Sequence, residues 1–250
     1  MRATFCGVGE AFDETLPNTS LLVETGKTSL LMDCGFTAAV AFWKAARDPM
    51  ALDGMTISHF HGDHYFGLPH RLVRFHAEGR TKPLTVFGGE GLAQRIAALV
   101  DLAYPNLLGK LPFSLQFEEC RPGAEKTIGD LNLGFADNDH PEPCMAARVD
   151  GEGASVFYSG DGRATPASQA LASGCDLIVH EAFCLDETRP GHGTARDAAR
   201  FAAEAGAKRL ALVHVARSER RNVRLATTAM SGKTDSLLVF LPEPGEILEL

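Results

Sequence analysis

The length, composition and charge of the chain set the first limits on what it can be. Its 250 residues, 45% of them hydrophobic, predict a single globular domain over residues 1–250 with a sizeable buried core. The formal net charge of −8 argues against a surface that binds long nucleic acids. The sequence has neither a long apolar run nor a signal-peptide pattern, and this predicts a cytoplasmic protein without a membrane partner.

The first part of the chain predicts short β-strands joined by tight turns. Apolar residues come in short runs, and Gly26 with Lys27 predicts a hairpin turn between two of the strands. A helix is predicted to end before Pro49, because proline cannot continue a helix. The predicted strands cover residues 3–8, 19–24, 29–33 and 54–58, and the predicted helix covers residues 38–47.

The rest of the chain predicts helices that alternate with strands. Predicted helices cover residues 65–76, 91–102, 166–172 and 194–205, and predicted strands cover residues 84–87, 113–118, 131–136, 155–159, 177–180 and 210–214. Residues 222–233 show no clear helical pattern and receive no assignment. Strands first and interleaved helices later predict an α/β fold, a four-layer αββα sandwich.

A dense cluster of polar residues follows the predicted strand 54–58. In an extended backbone His59 and His61 point to the same face, because side chains alternate along a strand. If a helix begins at Gly62, Asp63 and His64 project from its first turn. Imidazole and carboxylate groups are typical zinc ligands, and iron and manganese accept them too. A solvated loop or a polar helix cap is the alternative, but four potential ligands in six residues favour a metal site.

The sequence His59-x-His61-x-Asp63-His64 resembles the signature of the metallo-β-lactamase superfamily, and later polar residues follow in that family's order. The resemblance covers nearly the whole chain and implies the metallo-β-lactamase sandwich with two divalent ions, zinc expected and manganese or iron as alternatives. It implies one metal held by His59, His61 and His140, a second held by Asp63, His64 and His214, and Asp161 bridging both. Asp33 resembles the family's carboxylate that orients a ligand histidine. Taken alone, Asp161 would be a turn residue and His140 a loop residue.

Two further motifs resemble the RNase Z-like branch of that superfamily. They are His180-Glu181-Ala182-Phe183 after a predicted strand and Gly191-His192-Gly193-Thr194 before a predicted helix. The resemblance implies that His192 donates a proton to the leaving group and that Glu181 holds it, so Glu181 and His192 join Asp63 as catalytic candidates. The alternative for His192 is a loop residue, and the alternative for Glu181 is a surface acid. We expect Thr194 to cap a helix and His180 to be structural.

The interval from His140 to Asp161 has room for one short hairpin, so the long tRNA-binding arm of RNase Z is absent. The resemblance therefore implies a phosphodiesterase for a small, in some cases cyclic, phosphodiester. Arg163 and Arg217 follow ligands and are candidates for binding a phosphate oxygen, or simply surface residues. The alternatives are an arylsulfatase, lactonase, thioesterase, β-lactamase or tRNA 3′-processing endonuclease, or a non-catalytic metal-binding module. We expect a small anionic ester as substrate, and a homodimer is an open alternative to a monomer.

Overall fold

The computed structural model describes residues 1–231 and 237–250. In chain order its strands are β1 (Arg2–Gly7), β2 (Ser20–Glu24), β3 (Ser29–Met32), β4 (Gly54–Thr56), β5 (Leu84–Gly88), β6 (Leu115–Glu119), β7 (Glu125–Ile128), β8 (Leu131–Asn138), β9 (Cys144–Gly151), β10 (Ala154–Tyr158), β11 (Leu177–Glu181), β12 (Arg209–Val213), β13 (Leu238–Phe240) and β14 (Ile247–Glu249). Its α-helices are α1 (Ala38–Ala45), α2 (Gly62–Tyr65), α3 (Leu68–Ala77), α4 (Leu92–Ala103), α5 (Pro166–Leu171), α6 (Ala195–Glu204) and α7 (Arg220–Ser231).

The strands form two sheets, and the strand directions bring several carboxyl ends to one edge. The first sheet has the order β14-β1-β2-β3-β4-β5-β6, and β3 to β6 run parallel. The second has the order β13-β12-β11-β10-β9-β8-β7, and β10 to β13 run parallel. Since β9 is antiparallel to both β8 and β10, β8 runs in the same direction as β10. Loops after parallel strands are the usual place for a functional site.

Apolar side chains fill three layers. Phe5 of the first sheet and Val156 of the second belong to the core between the two sheets. The outer face of the first sheet packs on α1, α3 and α4 through residues such as Phe42 and Leu72. The outer face of the second sheet packs on α6 and α7, with Phe201 in the interface. The predicted four-layer αββα sandwich is confirmed.

The structure breaks one predicted helix into two. Instead of one helix over residues 65–76, α2 ends at Tyr65 and α3 begins at Leu68. Gly67 lies at the break, where its N–H donates to the carbonyl of Cys34 at 2.8 Å. A Cβ on Gly67 would lie 2.2 Å from the carbonyl oxygen of Gly35, so only glycine allows this close approach of the two loops.

Residues 222–233 received no assignment from the sequence, but α7 continues to Ser231; residues 232 and 233 lie outside the described residues. The predicted strands also omit β7, β9, β13 and β14. Of the helices in the described part of the chain, none combines the length and apolar character needed to cross a membrane.

Candidate metal centre

The candidate site lies where strands of both sheets end. In the first sheet, β3 leads to Asp33 and β4 leads to His59, followed by α2 with Asp63 and His64. In the second sheet, β8, β10, β11 and β12 lead to further candidates, which are His140, Asp161, Glu181 and His214. Each sheet therefore contributes only part of the site, and packing of the two sheets brings the parts together.

The seven ligand candidates form two groups of close donors. The first consists of His59, His61 and His140, and the second of Asp63, His64, Asp161 and His214; in each group one ligand atom per residue lies within 4.8 Å of the others. Asp161 also approaches the first group, because its Oδ2 lies 3.9 Å from Nε2 of His59. The arrangement matches the ligand sets that the resemblance implies, with Asp161 between them.

Unpaired polar atoms indicate that a cation fits this site. Nε2 of His59, Nε2 of His64 and Oδ1 of Asp161 are buried and have no hydrogen-bond partner within residues 1–231 and 237–250. Buried polar atoms without partners are costly, and native proteins satisfy nearly all of them. Imidazole nitrogens and carboxylate oxygens that converge in this way suit a divalent metal ion.

The charges within the second group depend on each other. Burial alone would raise the pKa of the Asp161 carboxyl, but His214 and His64 hold that pKa well below its usual range. Burial opposes the protonation of His214, yet Asp161 and Asp63 raise the pKa of His214 to about 9. Protons on the histidines thus compensate the carboxylates in the metal-free protein. Metal binding would release these protons, since the ligand nitrogens must be deprotonated.

Asp33 organises histidines of both groups. Its Oδ2 accepts hydrogen bonds from Nδ1 of His64 at 2.8 Å, from Oγ of Ser58 at 2.7 Å and from the hydroxyl of Tyr158 at 2.8 Å. Because the Ser58 hydroxyl donates to Asp33, it accepts from Nδ1 of His59, which is 3.0 Å away. Both imidazoles therefore hold a proton on Nδ1, so Nε2 is the atom that binds a metal once any proton on it has been released.

Sequence reasoning missed Ser58 and Tyr158 as parts of this network. Ser58 stands next to the histidine cluster, which is a weak signal at most. Tyr158 ends β10 in the second sheet, whereas Asp33 follows β3 in the first. No local pattern can pair residues across two sheets.

Glu181 and His192 lie in contact at the edge of the donor groups. Nδ1 of His192 is 3.2 Å from Oε2 of the fully buried Glu181. Burial lowers the pKa of His192, but the hydrogen bond and charge of Glu181 outweigh it and raise that pKa overall. The ring of His192 stacks on Phe183 with 4.6 Å between ring centroids, a contact that the sequence did not predict. Nε2 of His192 is left for a proton donated to another molecule.

The remaining candidates have other partners. Arg163 pairs with Asp139 at 2.8 Å, and Arg217 pairs with the buried Glu10 at 2.5 Å. Nδ1 of His180 donates to the carbonyl of Glu181 at 2.8 Å, and Thr194 caps α6 by accepting from the backbone N–H of Asp197. The predicted helix cap is thus observed, His180 is buried, and both arginines already hold a carboxylate.

Comparison with known proteins identifies the family. The model of the family described as Anti-Pycsar protein Apyc1 matches residues 1–231. The chain belongs to the Apyc1 family. This Apyc1-family chain is similar to ribonuclease Z of Methanosarcina mazei, with 26% identity over 270 residues that cover 86% of this chain and 87% of that protein.

Two solved structures share the fold of this Apyc1-family chain. YhfI of Bacillus subtilis, described as a metallo-β-lactamase fold protein, superposes with a TM-score of 0.83 at 23% identity, covering 99% of this chain and 98% of YhfI. A diphosphatase of the PhnP family superposes with a TM-score of 0.75 at 14% identity, covering 100% of this chain and 97% of that one. The predicted RNase Z-like resemblance is confirmed, and the chain is a metal-dependent hydrolase of the metallo-β-lactamase fold.

Proposed function

We propose that the protein is a dinuclear phosphodiesterase that hydrolyses a small phosphodiester, cyclic ones included. The observation that carries the proposal is the pair of donor groups that meet at Asp161, with the contact between Glu181 and His192 beside them. In this proposal His59, His61 and His140 hold one divalent ion, while Asp63, His64 and His214 hold the other. We propose zinc as the metal, because three imidazoles in one group suit it.

When bound, the two ions would supply the Lewis-acid chemistry that makes water nucleophilic near neutral pH. Residues of the chain balance charge and donate the proton. Asp63 and Asp161 balance part of the cationic charge, which leaves a site suited to a monoanionic ester. His192 donates a proton from Nε2 to the leaving oxygen, and Glu181 stabilises the imidazolium before the transfer.

The space around the site supports a small substrate. The interval between His140 and Asp161 is occupied by β9 and β10, which form an antiparallel pair with a turn at residues 152 and 153. A long arm that would grip tRNA has no place in this interval. The net charge of −8 also disfavours long polyanions.

A substrate panel tests the proposal directly. Purified protein would be assayed with bis-p-nitrophenyl phosphate, p-nitrophenyl sulfate, a lactone, nitrocefin and a precursor tRNA. We expect metal-dependent hydrolysis of the phosphodiester at a rate well above those for the other substrates. A higher rate on the sulfate, the lactone, nitrocefin or the tRNA would refute the proposal in favour of that activity.

The variant His192→Ala tests the assignment of the acid. Removal of the imidazole should leave metal content unchanged and lower turnover by about 10² or more for esters with poor leaving groups. The loss should be smaller for p-nitrophenyl esters, because p-nitrophenolate leaves without a proton. Equal losses on both kinds of ester would show that His192 is not the acid. The exposed His70 provides a matched His70→Ala control.

A further inference from the structure

A cavity lies beside the proposed proton donor, where three loops that follow strands of the site meet. Its volume is about 350 Å³, within the range of roughly 300–1,000 Å³ that is usual for small-molecule sites. Its walls come from the loops after β1, β11 and β12. Since β11 ends with Glu181 and His214 follows β12, two of these loops begin at residues of the site.

Phe183 connects the cavity with the proton donor. Its ring stacks on that of His192, with 4.6 Å between centroids and an interplanar angle of 19°, and it also lines the cavity. A leaving oxygen that receives a proton from Nε2 of His192 must lie within about 2.6–3.2 Å of that atom. The group attached to this oxygen therefore has the cavity as the adjoining space.

A second aromatic ring of the cavity is exposed. Phe12 lines it and is 77% exposed. A single exposed apolar side chain is ordinary, but this one stands on a loop that is tied down. The N–H of Phe12 donates to Oε2 of the buried Glu10 at 2.6 Å, and Oε1 of Glu10 accepts from Arg217 at 2.5 Å. A ring that is held in position beforehand loses less conformational entropy when it binds a ligand.

The charged groups of the wall largely compensate each other. Besides the pair of Glu10 and Arg217, Arg189 lies 3.0 Å from Glu187, and all four residues line the cavity. Glu219 adds a carboxylate to the wall, which disfavours an anionic group in this space. The surfaces left for a ligand are the aromatic rings, so an uncharged aromatic group suits the cavity best.

We propose that the cavity binds an uncharged aromatic ring on the leaving-group side of the substrate, and that Phe12 selects for this ring. The assignment rests on the proposed function and narrows the substrate to phosphodiesters whose leaving group carries a flat aromatic or heteroaromatic ring. Phe12 acts on the ring and not on the reacting atoms. It therefore stabilises the bound substrate and the transition state equally, and its loss should raise KM without lowering kcat.

Two esters with different leaving groups test the selection. Methyl phenyl phosphate releases an aromatic ring, whereas methyl hexafluoroisopropyl phosphate releases a branched fluoroalkanol of similar acidity. Their hydrolysis by the metal-loaded protein would be followed by phosphorus NMR. Phe12→Ser should raise the KM of the phenyl ester by about tenfold and leave its kcat unchanged, as expected when an aromatic contact is lost. The KM of the fluoroalkyl ester should stay as it is in the parent protein.

Two further variants separate the ring from general effects of substitution. Phe12→Trp keeps an aromatic ring and should retain the parent KM for the phenyl ester. Leu102→Ser removes a side chain that is 86% exposed on α4 and should change neither ester. An equal rise of KM for both esters in Phe12→Ser, an unchanged KM for the phenyl ester, or an equally large effect of Leu102→Ser would refute the role of Phe12.

Binding of fluorobenzene tests the cavity without catalysis. This molecule is an uncharged ring with no atom that binds a metal ion strongly, and a fluorine NMR titration gives its affinity for the metal-loaded protein. We expect weak, saturable binding that Phe12→Ser weakens by about tenfold and that Leu102→Ser leaves unchanged. Absence of saturable binding, or equal affinity in Phe12→Ser, would overturn the ring site even if the phosphodiester is hydrolysed. If fluorobenzene binds as expected but no phosphodiester is hydrolysed, the ring site stands and only the proposed function fails.

Discussion

The variant Asp33→Asn should weaken metal binding by changing the tautomer of His64. Asp33 has a φ of 59°, which asparagine tolerates far better than most residues, so the backbone is expected to persist. The new amide group would present N–H where Oδ2 now accepts from Nδ1 of His64. Nδ1 would then accept, and the proton of His64 would move to Nε2, the nitrogen that faces Asp63 at 3.1 Å. A protonated Nε2 has no lone pair for a metal.

The magnitude follows from the contacts of Asp33. Loss of a carboxylate that orients a ligand histidine typically costs 10–100-fold in metal affinity, or about 1.4–2.8 kcal/mol. Tyr158→Phe is the matched control, because it removes one hydrogen bond of 2.8 Å and leaves the carboxylate in place. It should lower the free energy of unfolding by about 1.5–3 kcal/mol, as for a hydrogen bond to a charged group, with a smaller effect on metal affinity.

Competition with a chromophoric chelator measures metal affinity in both variants, and thermal unfolding of the metal-free proteins measures stability. We expect Asp33→Asn to release metal at a lower chelator concentration than Tyr158→Phe does. Equal loss of affinity in the two variants would show that the network acts through general rigidity, and the tautomer argument would be wrong. Unchanged affinity in Asp33→Asn would refute it as well.

The remaining predictions concern metal removal and two single substitutions. Chelation should lower the melting temperature by about 8–16 °C in calorimetry, if free metal at roughly 1,000 times Kd contributes about 4.1 kcal/mol. Gly35→Ala should weaken metal binding in the same competition assay, since its Cβ would lie 1.8 Å from the carbonyl oxygen of Asp63. Asp176→Asn should lower the melting temperature at neutral pH. Burial raises the pKa of Asp176, but Lys208 and Ser155 lower that pKa overall. The stabilisation by the carboxylate is therefore present above its unfolded pKa and is lost as the pH falls through its lower folded pKa, so the difference in melting temperature between variant and parent should disappear over that range.

The sequence predicted the donor residues because they occur at strand ends in a recognisable order. The cluster from His59 to His64 is local, so its geometry follows from one strand and one helical turn. The convergence of His140 and His214 with that cluster depends on the packing of two sheets. Residue spacing alone could not predict it, and only the resemblance to a family did.

The misassigned elements have weak local signals. In α7 the fully or nearly buried apolar residues are Val223 and Met230, so the helical period is carried by two positions seven residues apart. The break between α2 and α3 arises from the approach of Gly35 to Gly67, a tertiary contact. Periodicity over residues 65–76 continues across that break and therefore predicted one helix.

Packing of the two sheets and geometry of the site depend on each other. The first sheet positions Asp33 and the cluster that begins at His59, while the second positions Asp161 and His214. The bond from Tyr158 to Asp33 connects the two sheets next to the donors. In a protein that unfolds, the two donor groups separate, and the free energy of metal binding is then lost with the fold. Since a bound ion would hold donors from both sheets, it would stabilise the interface between them in addition to the apolar core around Val156.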